Sequence, residues 1–419
     1  MSLLRTLRRT PSSRLEAIGW SAALLAIVIG FAWFSVKSYH FVHGDIAGLG
    51  GSQLKPVQLI GSEQTVFDWS KMACEPRDIP DEPARAYRDA AGQVHLFASH
   101  YISRAMVGPS LDSVKQDCQV VLRSTLSARP QDFADREWIA SPYTLDGKTV
   151  FALIHDEYHG WQHTVADCIG RPFKDCLYNA VTLVRSDDSG LNFQHAAPPP
   201  GNLVAEIPYR YRPGGGTYGV FNPSNIVLKD GYFYALAVVQ RYRAQKSGTC
   251  VMRTRDLAVP GSWRAWDGDG YNVSFVDPYK PITASADHLC EPVSSDAIGT
   301  MSSSLTYNTF FKKYLLVGAG SAYDPAKRRN IYGFFYSLSG DLTHWSQRKL
   351  VHEAEVPFSY HCGDSDPVQY PSVLDPASAS RNFETTGRTP YLYFTRNHYS
   401  GCRQTLDRDL VRVRIKFSK

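Results

Sequence analysis

The sequence predicts an all-β fold, a five-bladed β-propeller, preceded by a single N-terminal transmembrane helix. Three observations predict it: a recurring strand–turn–strand unit, few segments of helical periodicity, and one uncharged apolar run near the start. Each unit holds a short strand, a tight turn, an aromatic strand, a polar loop and a strand that ends in an Asp-containing corner. Repeated units of four short strands are what a propeller is built from.

Residues 1–16 are a basic tail with Arg5, Arg8, Arg9 and Arg14. Residues 17–36, AIGWSAALLAIVIGFAWFSV, form an uncharged apolar run of 20, long enough to cross a bilayer. The preceding arginines keep the N-terminus cytoplasmic and send the remainder out. A cleaved signal peptide is the alternative, but its apolar core would be unusually long, and Lys37-Ser38-Tyr39-His40 offers no small-x-small site. An uncleaved single-pass anchor is expected, with the propeller on the periplasmic or extracellular side. Residues 37–53 read as a linker and residues 54–419 as the propeller domain.

Within that domain the clearest unit comprises residues 138–145, the turn Asp146-Gly147, residues 149–155 and residues 180–186. A second runs through 224–228, Asp230-Gly231, 232–239 and 250–254, and a third through 303–307, 314–317 and 331–338. Weaker copies at 86–99 and 370–395 make five. Residues 57–69 and 410–417 also read as strands, one of which closes the ring against the other end of the chain.

The net charge of +5 is modest and partly sits in the basic tail, which argues against a nucleic-acid partner. All eight cysteines lie beyond the apolar run and none forms a CxxC pair, so disulfides are expected after export rather than a zinc ribbon. Cys168–Cys176 and Cys362–Cys402 are the first pairs to expect.

In a propeller, the approach to each inner strand and the loop after each second strand share one face, the mouth of the axial funnel. That rule brings together Asp81, Arg85, Trp138, Asn222, Glu291, Arg241, Arg396 and the segment His155-Asp156-Glu157-Tyr158-His159-Gly160-Trp161. Convergent polar and aromatic groups are what a polar ligand site requires.

Ser186-Asp187-Asp188-Ser189-Gly190-Leu191-Asn192-Phe193 resembles the sialidase Asp box, a structural hairpin element. Ser339-Gly340-Asp341-Leu342-Thr343-His344-Trp345 resembles the outer turns of five-bladed propeller glycosidases of the arabinanase, xylosidase and invertase type. The resemblance spans roughly residues 75–417 as a pattern, and implies three carboxylates at the mouth. Asp81 matches the first, a base or nucleophile. No Asp follows Pro142 at the second position, and Asn222 stands where the third would place an acid Glu.

Glycoside cleavage needs a second carboxyl, and Glu157, Glu291 and Asp156 are the candidates. His155, His159 and Arg85 would orient the sugar, and Trp138 or Trp161 would stack on it. Arg85, Arg241 and Arg396 would suit a carboxylate-bearing sugar. No cofactor is expected, although a metal ion at His155, His159 and His163 is an alternative if that loop is helical. The function implied is a membrane-anchored, glycan-active hydrolase; the alternative, favoured by Asn222, is a catalytically inactive glycan-binding or scaffold propeller.

Overall fold

The structure is a computed structural model that describes residues 49–419. The basic tail, the apolar run at 17–36 and most of the linker lie outside the described residues. Among the described residues no helix is long and apolar enough to cross a membrane.

The described chain is nearly all β, and its strands fall into successive antiparallel groups. The first holds Arg85–Arg88, Val94–Phe97, Met106–Gly108 and Lys115–Gln116. The second holds Arg136–Thr144, Val150–His159 and Leu177–Ser186, edged by Gln194–His195 and Leu203–Ala205. In the third, Tyr218–Phe221 and Val227–Lys229 both pair with Tyr232–Val239, followed by Gly248–Thr254, Arg264–Ala265 and Val273–Ser274. The fourth holds Ser304–Asn308, Lys313–Asp324, Arg329–Ser339 and Lys349–Glu353. The last holds Val368–Leu374, Tyr391–Ser400 and Arg403–Lys416, with Gln58–Phe67 outermost. The first strand of the described chain therefore pairs with its last, Leu59 opposite Ile415 and Phe67 opposite Leu410. This is the closure expected of residues 57–69 and 410–417.

Apolar layers join each group to the next. Tyr87, Phe97, Ile139 and Ile154 link the first to the second, and Tyr178, Val181, Val220 and Ala235 the second to the third. Leu236, Leu305 and Leu316 continue the circuit, then Leu315, Phe334, Leu392 and Phe394. Ala86, Leu96, Tyr391 and Tyr393 return it to the first group. Each fully buried large side chain in these layers contributes roughly 1.5–3 kcal/mol.

Inside the circuit the inner strands converge on Arg85. Its Nε donates to Ala140 O at 3.0 Å, and its Nη1 to Ala84 O at 3.2 Å and Ser372 Oγ at 3.3 Å. Its Nη2 donates to Ser303 O. Four acceptors from the first, second, fourth and last groups thus share one guanidinium, while Ser141 Oγ donates to Pro223 O in the third. Arg85 is 2% exposed, and burial lowers its pKa to about 10. The expectation that Arg85 holds a sugar is corrected: its donors are committed to the scaffold, and it anchors the segment that carries Asp81 and Glu82.

All eight cysteines pair, as Cys74–Cys118, Cys168–Cys176, Cys250–Cys290 and Cys362–Cys402. Both pairs expected from the sequence are among them.

Candidate functional site

Asp81 and Glu82 lie between Pro80 and Pro83, and a residue that precedes proline is steered to extended backbone. Asp81 N donates to Ala98 O at 2.8 Å, which fixes this extended segment beside the end of the Val94–Phe97 strand. At the Asp81 carboxylate, Oδ2 accepts from Trp138 Nε1 at 3.3 Å and Oδ1 from the Tyr370 hydroxyl at 3.3 Å. Arg408 Nη1 also donates to Oδ1. His100 Nε2 lies 3.7 Å from Oδ2. Burial takes the His100 imidazole down to about 4, against the pull of Asp81, so a neutral ring stands beside this carboxylate.

The second contribution comes from Val150–His159, whose strand conformation continues through His159 where the sequence suggested a loop from His155. Alternation along a strand then sorts the cluster by face. His155, Glu157 and His159 share the face toward Trp138, whose ring centroid is 5.8 Å from His155 and 6.4 Å from His159. Asp156 points the other way and accepts from Asp135 N at 2.8 Å. Burial, then the charges of Glu137 and Asp135, push Asp156 well above the usual carboxylate range. The expectation that Asp156 faces a ligand is therefore corrected.

Behind Trp138, His155 bridges two carboxyls. Its Nδ1 is 3.2 Å from Glu82 Oε1, and its Nε2 is 3.3 Å from Asn179 Oδ1 and 3.5 Å from Glu157 Oε1. Acceptors at both ring nitrogens favour the imidazolium. Burial opposes that charge, but the Glu82 hydrogen bond and the Glu157 and Glu82 charges outweigh it, and the His155 pKa is raised. Glu82, 2% exposed, is raised as well because burial exceeds the help from His155. The Glu82–His155 pair holds a proton more tightly than either group would in water.

Glu157 behaves differently. Its Oε2 meets His159 Nε2 at 2.7 Å, and its side chain is 25% exposed. Burial pushes its pKa up, yet the His159 hydrogen bond and the His155 charge prevail and hold it below the ordinary glutamate value. Beyond it, Trp161 stacks on His159 with centroids 4.4 Å apart, and Phe221 stacks on His155 at 6.1 Å. Asn222 follows Phe221 with φ at 50° and its carbonyl accepts from Ser302 Oγ.

The structure thus brings Asp81, Trp138, His155, Glu157, His159 and Trp161 together. Two other expected residues lie apart from this cluster. Glu291 pairs with Lys246 Nζ at 2.7 Å, its side chain 41% exposed, because the segment that carries it packs on Trp266 O at the outer strands. Arg396 pairs with Glu63 of Gln58–Phe67, since Tyr391–Ser400 carries it as a strand residue facing the outermost strand. Both are corrections to the expected common funnel. Arg241 lies exposed in the loop after Tyr232–Val239.

Sequence reasoning assigned no role to Glu82 and His100, which it placed only as neighbours at the mouth, and missed Tyr370 and Arg408. Tyr370 occupies the left-handed region at φ 56°, in a register irregularity between Gln369 and Ser372. That costs a bulky residue about 1 kcal/mol or more, and it sets the phenol against Asp81. Arg408 carried no local signal, because 327 positions separate it from Asp81.

The three histidines considered for a metal do not converge. His155 and His159 engage the carboxyls described, and His163 Nε2 meets Asp135 Oδ2 at 2.8 Å. Among the described residues, His398, Asp407 and Asp409 do hold ligand atoms within 4.8 Å of one another. His398 Nδ1, however, is 2.7 Å from Asp366 Oδ2, and its Nε2 is 3.0 Å from Asp409 Oδ2. Burial works against the charge there, but these bonds raise the His398 pKa and favour an imidazolium, which has no lone pair for a metal.

No family model matches this sequence, and no curated protein matches it. Solved structures do align with its backbone. One is the Cellvibrio cellulosa α-L-arabinanase complexed with arabinohexaose, 10% identical, with 80% of this chain and 90% of that chain covered and a TM-score of 0.44. A glycosyl hydrolase from Bacteroides ovatus is 12% identical over 88% of this chain and 94% of its own, with a TM-score of 0.42. The endo-arabinase from Bacteroides thetaiotaomicron VPI-5482 is 12% identical, covering 85% and 98%, also with a TM-score of 0.42.

Proposed function

We propose that this chain is a membrane-anchored, exported five-bladed β-propeller that hydrolyses a poly- or oligosaccharide at its axial mouth. The observation that carries the reading is a run of contacts between two strand groups: Asp81 accepts from Trp138, the Trp138 ring lies 5.8 Å from His155, and Glu157 lies 3.5 Å from that imidazole. Hydrolysis of a glycosidic bond needs one carboxylate at the anomeric carbon and a proton for the leaving oxygen.

Asp81 serves the first role, as base on a water or as nucleophile, oriented by Arg408, Tyr370 and Trp138. The proton comes from the Glu157–His159 pair. Glu157 is held below the ordinary glutamate value in the resting site, and the proton is delivered to the leaving oxygen through Glu157 across its 2.7 Å contact with His159. Glu82 and His155 fix the charge behind the pair, and Trp161 offers the stacking face for a sugar ring. The four disulfides support export to an oxidising compartment, and residues 17–36 supply the anchor.

A second reading, glycan binding without cleavage, is favoured by Asn222, which cannot donate as a carboxylic acid does. The full chain in detergent, incubated with a panel of neutral and acidic polysaccharides, separates the two. New reducing ends with one polymer support hydrolysis, whereas affinity without new ends supports binding alone.

A further inference from the structure

Three loops beside the site carry cations that the proposed chemistry does not use. The first is closed by Cys168–Cys176 and bears Arg171 and Lys174. The second spans residues 209–217 and bears Arg212. The third follows Tyr232–Val239 and bears Arg243. The same loops also carry Arg210, Arg241 and Lys246; Arg171, Lys174, Arg212 and Arg243 are all exposed.

The loops are stitched together. Gly214 N donates to Asp175 O at 2.9 Å and Thr217 Oγ1 to Lys174 O at 2.9 Å. Gly214 lies against the Arg171 guanidinium, where an added Cβ would sit 3.3 Å from Nη1. Tyr242 stacks on Tyr218 with centroids 3.9 Å apart, and the Arg243 guanidinium lies over Tyr209 at 5.1 Å. Gly160 leaves room for the Tyr211 hydroxyl, which contacts Cys168 Sγ at 3.2 Å.

Among the described residues none of Arg171, Lys174, Arg212 and Arg243 is in an ion pair; the acids that border them are Asp167 and Asp175 of the disulfide loop and, beside Lys246, Glu291. The rim is continuous with the site, because Trp161 stacks on His159 and meets Phe173 edge-on at 5.7 Å, and Phe173 is 52% exposed. Aromatic faces that alternate with guanidinium groups suit a chain of sugar rings bearing carboxylates.

We propose that these loops form a subsite track for an anionic polysaccharide, a polymer of uronic acids, leading from Glu157 across Trp161 and Phe173 to Arg171, Arg212 and Arg243. The inference rests on the proposed glycan activity and names its substrate class. The track binds through charge-assisted hydrogen bonds to sugar carboxylates, with ring faces on Trp161 and Phe173.

The test uses the full chain in detergent carrying Asp81→Asn, so that binding is read without cleavage, by calorimetric titration with polygalacturonate and with its carboxyl-reduced, neutral counterpart. The charged polymer should bind about tenfold tighter or more, and high salt should remove most of the difference. Arg171→Ala, Arg212→Ala and Arg243→Ala combined should weaken polygalacturonate about tenfold and leave the neutral polymer within about twofold. Equal affinity for the two polymers, or a triple variant that keeps full affinity for polygalacturonate, overturns the track. So does a DNA oligonucleotide that binds as tightly, since the site would then read charge alone. Hydrolysis of a neutral polymer by the unmodified protein, with no preference for the charged one, overturns the track and leaves the proposed hydrolase standing.

Discussion

Arg85→Met tests how the site is held. The substitution keeps the apolar stem but removes a guanidinium that serves Ala84 O, Ala140 O, Ser303 O and Ser372 Oγ. Three carbonyls are left buried, and each costs about 1–3 kcal/mol if it finds no other donor. Glu82 loses a nearby positive charge as well. Against this, the variant no longer desolvates a cation, which returns several kcal/mol. The net expected loss is roughly 3–5 kcal/mol, a large share of the ~5–15 kcal/mol that native proteins hold. Urea unfolding followed by tryptophan fluorescence reads this as a lower midpoint at unchanged slope. Arg85→Lys retains the charge without the four-way geometry and should recover only part of the loss. A methionine variant within ~1 kcal/mol of the parent would refute the view that the inner strands are tied through Arg85.

Three further outcomes are expected. Mass mapping without reductant should find few or no alkylatable thiols, and opening Cys168–Cys176 by paired Ala substitutions should cost about 2.5 kcal/mol for its 8-residue separation. Asp156 and Glu206 should make stability fall as pH rises above about 4–5: both have raised pKa values, chiefly from burial, so the native chain retains protons that the unfolded chain releases there. Asp156→Asn with Glu206→Gln should flatten that slope in urea midpoints measured across the range, and an unchanged slope would count against it. If residues 17–36 anchor the protein, its N-terminal sequence should begin at Met1 or Ser2 and the chain should stay with membranes after a high-salt wash; a mature start beyond residue 36 would contradict this.

Much of the scaffold is legible in the sequence because turns and alternation are local signals. Asp146-Gly147 and Asp230-Gly231 mark hairpins, and 410–417 alternates apolar and basic residues in the period of a strand. Asp81 and the dense 155–161 segment stand out for the same reason. The errors arise where a strand's length decides a side chain's face. Treating 155–161 as loop left Asp156 and Glu157 equivalent, whereas a strand through His159 separates them. Arg396 likewise falls within Tyr391–Ser400, which continues past the residue where a loop was expected. Arg85 could not be recognised as a tie between inner strands, because its acceptors are mostly backbone carbonyls, one of them 218 positions away, which carry no side-chain signature. Tyr370 and Arg408 meet Asp81 only once the circuit of strands closes.

The central claim is that Asp81 and Glu157 act as one catalytic pair. It is tested most directly by measuring reducing-end release from the best polysaccharide of the panel with the parent chain, Asp81→Asn and Glu157→Gln, each checked for an unchanged unfolding midpoint. Loss of a paired acid or base group is expected to lower turnover by at least ~100-fold in each variant while glycan affinity stays within about tenfold. Full turnover in the Asp81→Asn protein would contradict the account.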